Sequence, residues 1–170
     1  LLYLLITLLY SFMLKRIYLL DTVTLAFLYS LRIFSGAAVI SAPISTWLLS
    51  FSFLLFFSFA LLKRYTEIKS TEDVIGSHKI SGRGYYTKDK NFILSIGLSS
   101  GVISVFILIF YIQSPSTSLL YSSPGIIGFS CPLFLLWIIR SWFIAYKGKM
   151  DDDPILYTIK DKLSLILFLL

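Results

Sequence analysis

The chain alternates long apolar runs with polar gaps, and every second gap is packed with charge while the gaps between carry none. The runs are 1–13, 23–40, 44–62, 92–112, 124–146 and 163–170, and the charged gaps are 14–22, 63–91 and 147–162. Gaps 41–43 and 113–123 contain no Lys, Arg, Asp or Glu. A chain that threads a bilayer back and forth, with its basic loops on the cytoplasmic side, has this pattern. Runs 44–62 and 92–112 are 19 and 21 residues long, enough as helices to cross a hydrocarbon core of ~30 Å at ~1.5 Å per residue. Strands would need breaks every few residues, and the runs have none. The expected fold is an all-α polytopic transmembrane helix bundle of five to six spans, forming one membrane domain over 1–170.

Composition excludes the main alternatives. With 57% hydrophobic residues, 14% charged residues and a mean hydropathy of +0.85, the chain has too little polar surface to coat a water-soluble globule of this size. The formal charge of +6 does not point to nucleic acid, because 13 of the 15 Lys and Arg fall in the three charged gaps. There they fix topology and face anionic headgroups. Cys131 is the only cysteine and His78 the only histidine, so the chain builds neither a disulfide framework nor a thiolate metal site by itself. The first run lacks the layout of a signal peptide. The chain is expected to be the C-terminal portion of a larger protein.

Pro43 is placed to open the helix after a tight turn at 41–43. The gap 63–91, at 29 residues, is longer than a plain connector and reads as a cap over the cytoplasmic face. No internal repeat is visible, and runs 44–62 and 92–112 lack the paired Gly/Pro interruptions of a midplane transport site. A transporter or a membrane scaffold remains the non-enzymatic alternative.

Candidate functional residues cluster in the charged gaps. Arg32 is the exception, lying inside a run eleven residues beyond Asp21, roughly 15 Å deep along a helix. A guanidinium at that depth is costly in lipid, so Arg32 is expected to face the bundle interior, against either an anionic ligand or a structural partner. At the end of run 44–62, Ala60, Lys63 and Glu67 share a helix face. A carboxylate beside Lys63 and Arg64 suits a divalent ion and the phosphates it bridges. The plain alternative is a Lys63/Glu67 i,i+4 pair worth roughly 0.2–0.5 kcal/mol. Lys15 and Arg16 follow an apolar run, as positive-inside anchors do, and Asp21 stands near a helix start. Arg83 lies between two glycines in SGRGYY, where the backbone can approach a phosphate. Asp153 before Pro154 reads as a helix cap. Together with Asp151 and Asp152 it is also a candidate cation ligand, and Asp161 and Arg140 lie toward the same end.

Taken together, the segments YSFMLKR, LLD, LRIFSGA, LLKRYTE, SGRGYY and DDDPILYTIKD, in this order around membrane runs, resemble the UbiA-type intramembrane prenyltransferase superfamily. They look most like its decaprenyl-phosphate phosphoribosyltransferase branch. Tyr10 stands five residues before Lys15, as in that branch, whereas aromatic-substrate members place the tyrosine four before the Lys-Arg pair. Lys63, Arg64, Tyr65 and Glu67 stand where aromatic prenyltransferases carry a D-x-x-x-D motif. The superfamily's first motif, N-D-x-x-D-x-x-x-D, is absent from these residues.

The resemblance implies a Mg2+-dependent transferase acting on polyprenyl substrates in the bacterial inner membrane, with its active site on the cytoplasmic face. In the phosphoribosyl branch, phosphoribosyl diphosphate loses diphosphate and a polyprenyl phosphate attacks. In the aromatic branch, an isoprenoid diphosphate is the electrophile. By the same resemblance Lys63 and Glu67 are the catalytic candidates. Tyr10, Lys15, Arg16, Arg32, Arg64, Tyr65 and Arg83 are the candidates for substrate and phosphate. Glu67 and Asp21 are metal ligands secondary to the missing motif, without which this portion should be inactive alone.

Overall fold

A computed structural model describes residues 2–42, 44–75, 79–80, 82–114, 117, 127–150 and 161. Pro43, His78, Asp151, Asp152, Asp153, the run 163–170 and most of the gap 113–123 lie outside the described residues. The described part is helical: α1 (Leu2–Phe12), α2 (Leu20–Val39), α3 (Thr46–Ile75), α4 (Lys90–Gln113) and α5 (Ser130–Tyr146), with short 3-10 turns at Leu14–Arg16 and Thr87–Asp89. The only extended pairing among the described residues is an isolated bridge between Lys79 and Tyr86.

Three helical segments are long and apolar enough to cross a membrane, Leu20–Val39, Thr46–Glu72 and Thr87–Ile112, and α1 and α5 are shorter apolar helices. Large apolar side chains such as Phe106, Phe110, Leu136 and Phe143 face outward, as a bilayer solvent favours. These features mark a membrane protein.

Cross-helix contacts set the directions. Asp21 meets Arg64 and Tyr29 meets Phe56, so α2 and α3 run antiparallel. Glu72 meets Lys90 and Trp47 meets Phe110, so α4 runs back along α3. Trp142 of α5 packs on Tyr65, and Phe134 packs on Phe51, which makes α5 parallel to α3. Described parts of the three charged segments therefore meet at one end of the helices, as the alternation of gaps predicts: 14–22 against α3 through Asp21, and the start of 147–162 against α3 through Gly148 beside Lys69. The Lys69 ammonium donates to the Tyr146 carbonyl and covers the C-terminal end of α5.

The centre of the bundle is closed by small residues. Gly97 and Gly101 of α4 are buried and four apart, the spacing that lets helix backbones approach in a membrane. A methyl on Gly97 would lie 2.2 Å from the Trp142 ring, and one on Gly101 would lie 2.7 Å from Ile138 Cγ2. The Trp142 Nε1–H donates to Ser58 Oγ at 3.1 Å, and that hydroxyl donates to the Gly97 carbonyl at 2.7 Å. One short hydrogen-bond chain thus ties α5, α3 and α4 together.

The long gap 63–91 is not a loop throughout. Residues 63–75 continue α3 past the apolar run, because their helical hydrogen bonds persist and their side chains find partners at the charged end. The irregular part is the short hairpin around 80–85, closed by Ile80 N–H to the Tyr85 carbonyl at 2.9 Å, with Gly82 at φ +71°. Only glycine takes that backbone without strain.

Candidate functional site

The densest polar cluster lies where α1, α2, α3 and the hairpin meet. Asp21 is in the first turn of α2 and fully buried, and Arg64 of α3 is 2% exposed. Arg64 Nε donates to Asp21 Oδ2 at 2.6 Å, and Arg64 Nη1 donates to Glu67 Oε2 at 2.5 Å. The other Asp21 oxygen accepts the Tyr85 phenol hydrogen and, at 2.7 Å, the Thr22 N–H. The Tyr85 oxygen in turn accepts the N–H of Leu19 at 3.1 Å. Leu19 is held at φ 61° just before α2, a backbone conformation that bulky residues rarely adopt. One tyrosine from the hairpin thereby fixes both the start of α2 and the buried carboxylate. Burial, then the hydrogen bond to Asp21, pushes the Tyr85 phenol well above its ordinary range. Burial, then Asp89, also raises Tyr18, whose ring packs against Tyr85 at 4.8 Å.

Around this buried core lies a more accessible rim. Glu67 and Arg83 are each about a quarter exposed, with Arg83 Nε 3.8 Å from Glu67 Oε2. Arg83 Nη1 also donates to the Tyr10 hydroxyl at 3.4 Å. The Gly84 backbone abuts residues 16–18, where an added methyl would lie 2.6 Å from the Arg16 carbonyl oxygen. That contact seats Arg83 beside the turn carrying Lys15 and Arg16, of which Lys15 is half-buried and Arg16 exposed. Lys63, half-buried, stands one helical turn before Glu67.

Several expectations change at this cluster. Glu67 pairs with Arg64, which stands on the face of α3 where α2 presents Asp21. Arg64 is engaged with two carboxylates, so it organises the cluster and is closed to a phosphate in this arrangement. Asp21 is fully buried and accepts two hydrogen bonds at Oδ1 and one at Oδ2, so in this arrangement it anchors the cluster. Among the described residues no group of three ligating side chains is found. Tyr65 is 1% exposed and packs on Trp142 in the core, since it follows Arg64 by one residue and faces α5. Arg32 does not face the bundle interior. It is exposed on α2, with Nε 2.9 Å from the Tyr3 hydroxyl and its guanidinium over the Tyr29 ring at 5.1 Å. Arg140 and Asp161 meet as an ion pair at 3.0 Å, apart from the cluster.

Tyr85 was not among the candidates. Its signal was an aromatic residue directly after the second glycine of SGRGYY, in an otherwise polar gap.

An apolar groove of about 530 Å³ opens between α2, α3 and α4 on the membrane side of the cluster. Phe27, Leu31 and Phe34 line it from α2, Leu49, Phe53 and Leu54 from α3, and Ile107 from α4. Its nearest lining residue on α2 is about 9 Å further along the helix than Asp21. On α3 the lining ends at Leu54, ten residues before Arg64, so the groove lies in the apolar length of the bundle and the polar cluster at its charged end.

Comparison with known proteins places the chain beside two curated relatives. It is 36% identical over 168 residues to the uncharacterized protein y4nM of Sinorhizobium fredii, covering 95% of this chain and 31% of that protein. It is 30% identical over 152 residues to the nodulation protein NoeC of Azorhizobium caulinodans, covering 89% of this chain and 49% of that protein. No family model and no solved structure matches it. The chain spans between about a third and about half the length of the curated relatives it matches.

Proposed function

We propose that the chain is part of a UbiA-like integral-membrane transferase, with five to six of its helices crossing the inner membrane and the charged end on the cytoplasmic side. Its reaction transfers 5-phosphoribose from phosphoribosyl diphosphate to a polyprenyl phosphate. The observation that carries this reading is the meeting of Tyr10, Glu67, Arg83 and the Lys15–Arg16 turn at the charged end of helices that enclose an apolar groove further along their length. A substrate with an anionic head and a long hydrocarbon tail needs such a pairing. Cationic side chains of the rim neutralise phosphate oxygens and the charge that accumulates on departing diphosphate. Glu67, with one oxygen on Arg64 and Arg83, orients the rim arginine and accepts hydrogen bonds from sugar hydroxyls. The buried Asp21–Arg64–Tyr85 network keeps the rim in register. Mg2+ belongs with carboxylates outside these residues, and the roles of Glu67 and Arg83 do not pass through it.

The test is diphosphate release by the purified full-length protein, supplied with Mg2+, phosphoribosyl diphosphate and polyprenyl phosphate. Glu67→Gln is expected to lower turnover about 100-fold, with membrane insertion unchanged. Lys63→Ala is expected to do the same. Turnover within two-fold of the unsubstituted protein in both variants would reduce these residues to structural roles. Release from an isoprenoid diphosphate with an aromatic acceptor, and none from phosphoribosyl diphosphate, would replace this reading with that of an aromatic prenyltransferase.

A further inference from the structure

Arg32 lies outside the polar cluster, in surroundings of a different kind. It sits twelve residues from the start of α2 and seven from its end, about 18 Å and 10 Å along the axis. Arginines near a membrane surface usually extend toward the closer headgroups. Arg32 is instead held among aromatic rings: its guanidinium lies over Tyr29, one turn back on α2, at 5.1 Å from the ring centroid, and over Tyr3 of α1 at 5.4 Å. The Tyr29 ring is itself seated on Phe56 of α3, with centroids 5.1 Å apart. The Tyr3 hydroxyl of α1 accepts from both Nε and Nη2 of Arg32, at 2.9 and 2.5 Å. Two phenols therefore hold the charge at depth, on an exposed face, and neither neutralises it. Among the described residues Arg32 Nη1 has no hydrogen-bond partner. One turn further along the same face stand Ser35 and Gly36, both exposed, and a methyl on Gly36 would meet nothing within 4 Å. A second helix can approach closely there.

We infer that this face of α1 and α2 docks a membrane-spanning helix from outside these 170 residues, one that carries an Asp or Glu at the depth of Arg32. A charge in hydrocarbon is rarely left without a partner, and the outward guanidinium edge is the complement of a carboxylate. A second copy of this chain does not supply it: all nine Asp and Glu fall in the charged gaps 14–22, 63–91 and 147–162, and none in a membrane run. Both curated relatives extend over more than half their length beyond the region matched, which leaves ample chain for such a helix. The docking is independent of the reaction catalysed.

The test places a photoreactive benzophenone side chain at Gly36 of the full-length protein in native membranes, followed by irradiation and peptide mapping. The expected adduct is a peptide from outside residues 1–170, with an acidic residue within one helical turn of the crosslink. Its yield is expected to fall about five-fold in Arg32→Gln, the size of one interhelical polar contact, and to hold in Arg32→Lys. Adducts confined to lipid, to a second copy, or to a helix without a carboxylate would overturn the inference. So would a yield unchanged in Arg32→Gln.

Discussion

Replacing Arg64 with alanine is expected to yield a protein that inserts into the membrane and fails to hold its charged end together. The guanidinium is 2% exposed and bonded to Asp21, which is fully buried. Its removal leaves the Asp21 carboxylate in a low-dielectric site with only the Tyr85 hydroxyl and the Thr22 N–H for company. Breaking one partner of a buried ion pair costs about 3–5 kcal/mol, because the other charge stays buried and uncompensated. In detergent the midpoint of thermal aggregation should fall sharply, and protease should cut in 79–86, since the hairpin is moored to the same carboxylate through Tyr85. Adding Asp21→Asn to Arg64→Ala should recover part of the loss, since the uncompensated charge is then gone. A midpoint in Arg64→Ala equal to that of the unsubstituted protein would show that the pair does not hold these helices together.

A second large effect is expected from Gly97→Leu. The α4 backbone at this position lies against the Trp142 ring so closely that even a methyl would sit 2.2 Å from it. Trp142 is 2% exposed and hydrogen-bonded to Ser58, which leaves the ring no open space to enter. Overpacking usually costs about 1–3 kcal/mol, and at Gly97 a rigid ring is hit and its hydrogen bond to Ser58 is broken as well. The loss of stability should reach or exceed the upper end of that range. Ser99→Leu, two residues on and exposed, should be neutral. Equal midpoints for the two variants would contradict the close α4–α5 approach.

Much of this was legible in the residue order. Charge confined to every second gap predicts that 14–22, 63–91 and 147–162 share one end of the helices, and the contact of Asp21 with Arg64 and the position of Gly148 beside Lys69 place described parts of all three there. Choosing among neighbours within a gap was beyond the pattern. Lys63, Arg64 and Tyr65 differ by about 100° of helix rotation each, and which of them meets α2 or α5 depends on how the helices lie against one another. Tyr85 was hidden for the same reason, since its partner Asp21 is 64 residues away. The continuation of α3 through 63–75 was masked by its own charges, which read as a loop when counted against a membrane run. The Gly97–Gly101 spacing was visible in GLSSG, but its consequence required knowing that Trp142 lies opposite.

A charge-rich site at one end of helices that enclose an apolar groove is the core of the proposed transferase, and the fate of the sugar tests it most directly. The full-length protein, incubated with Mg2+, polyprenyl phosphate and phosphoribosyl diphosphate labelled at the 5-phosphate, should move label into the organic-extractable lipid. One label should enter for each diphosphate released. Diphosphate release with the label left in water, or no release at all, would contradict the proposed transfer.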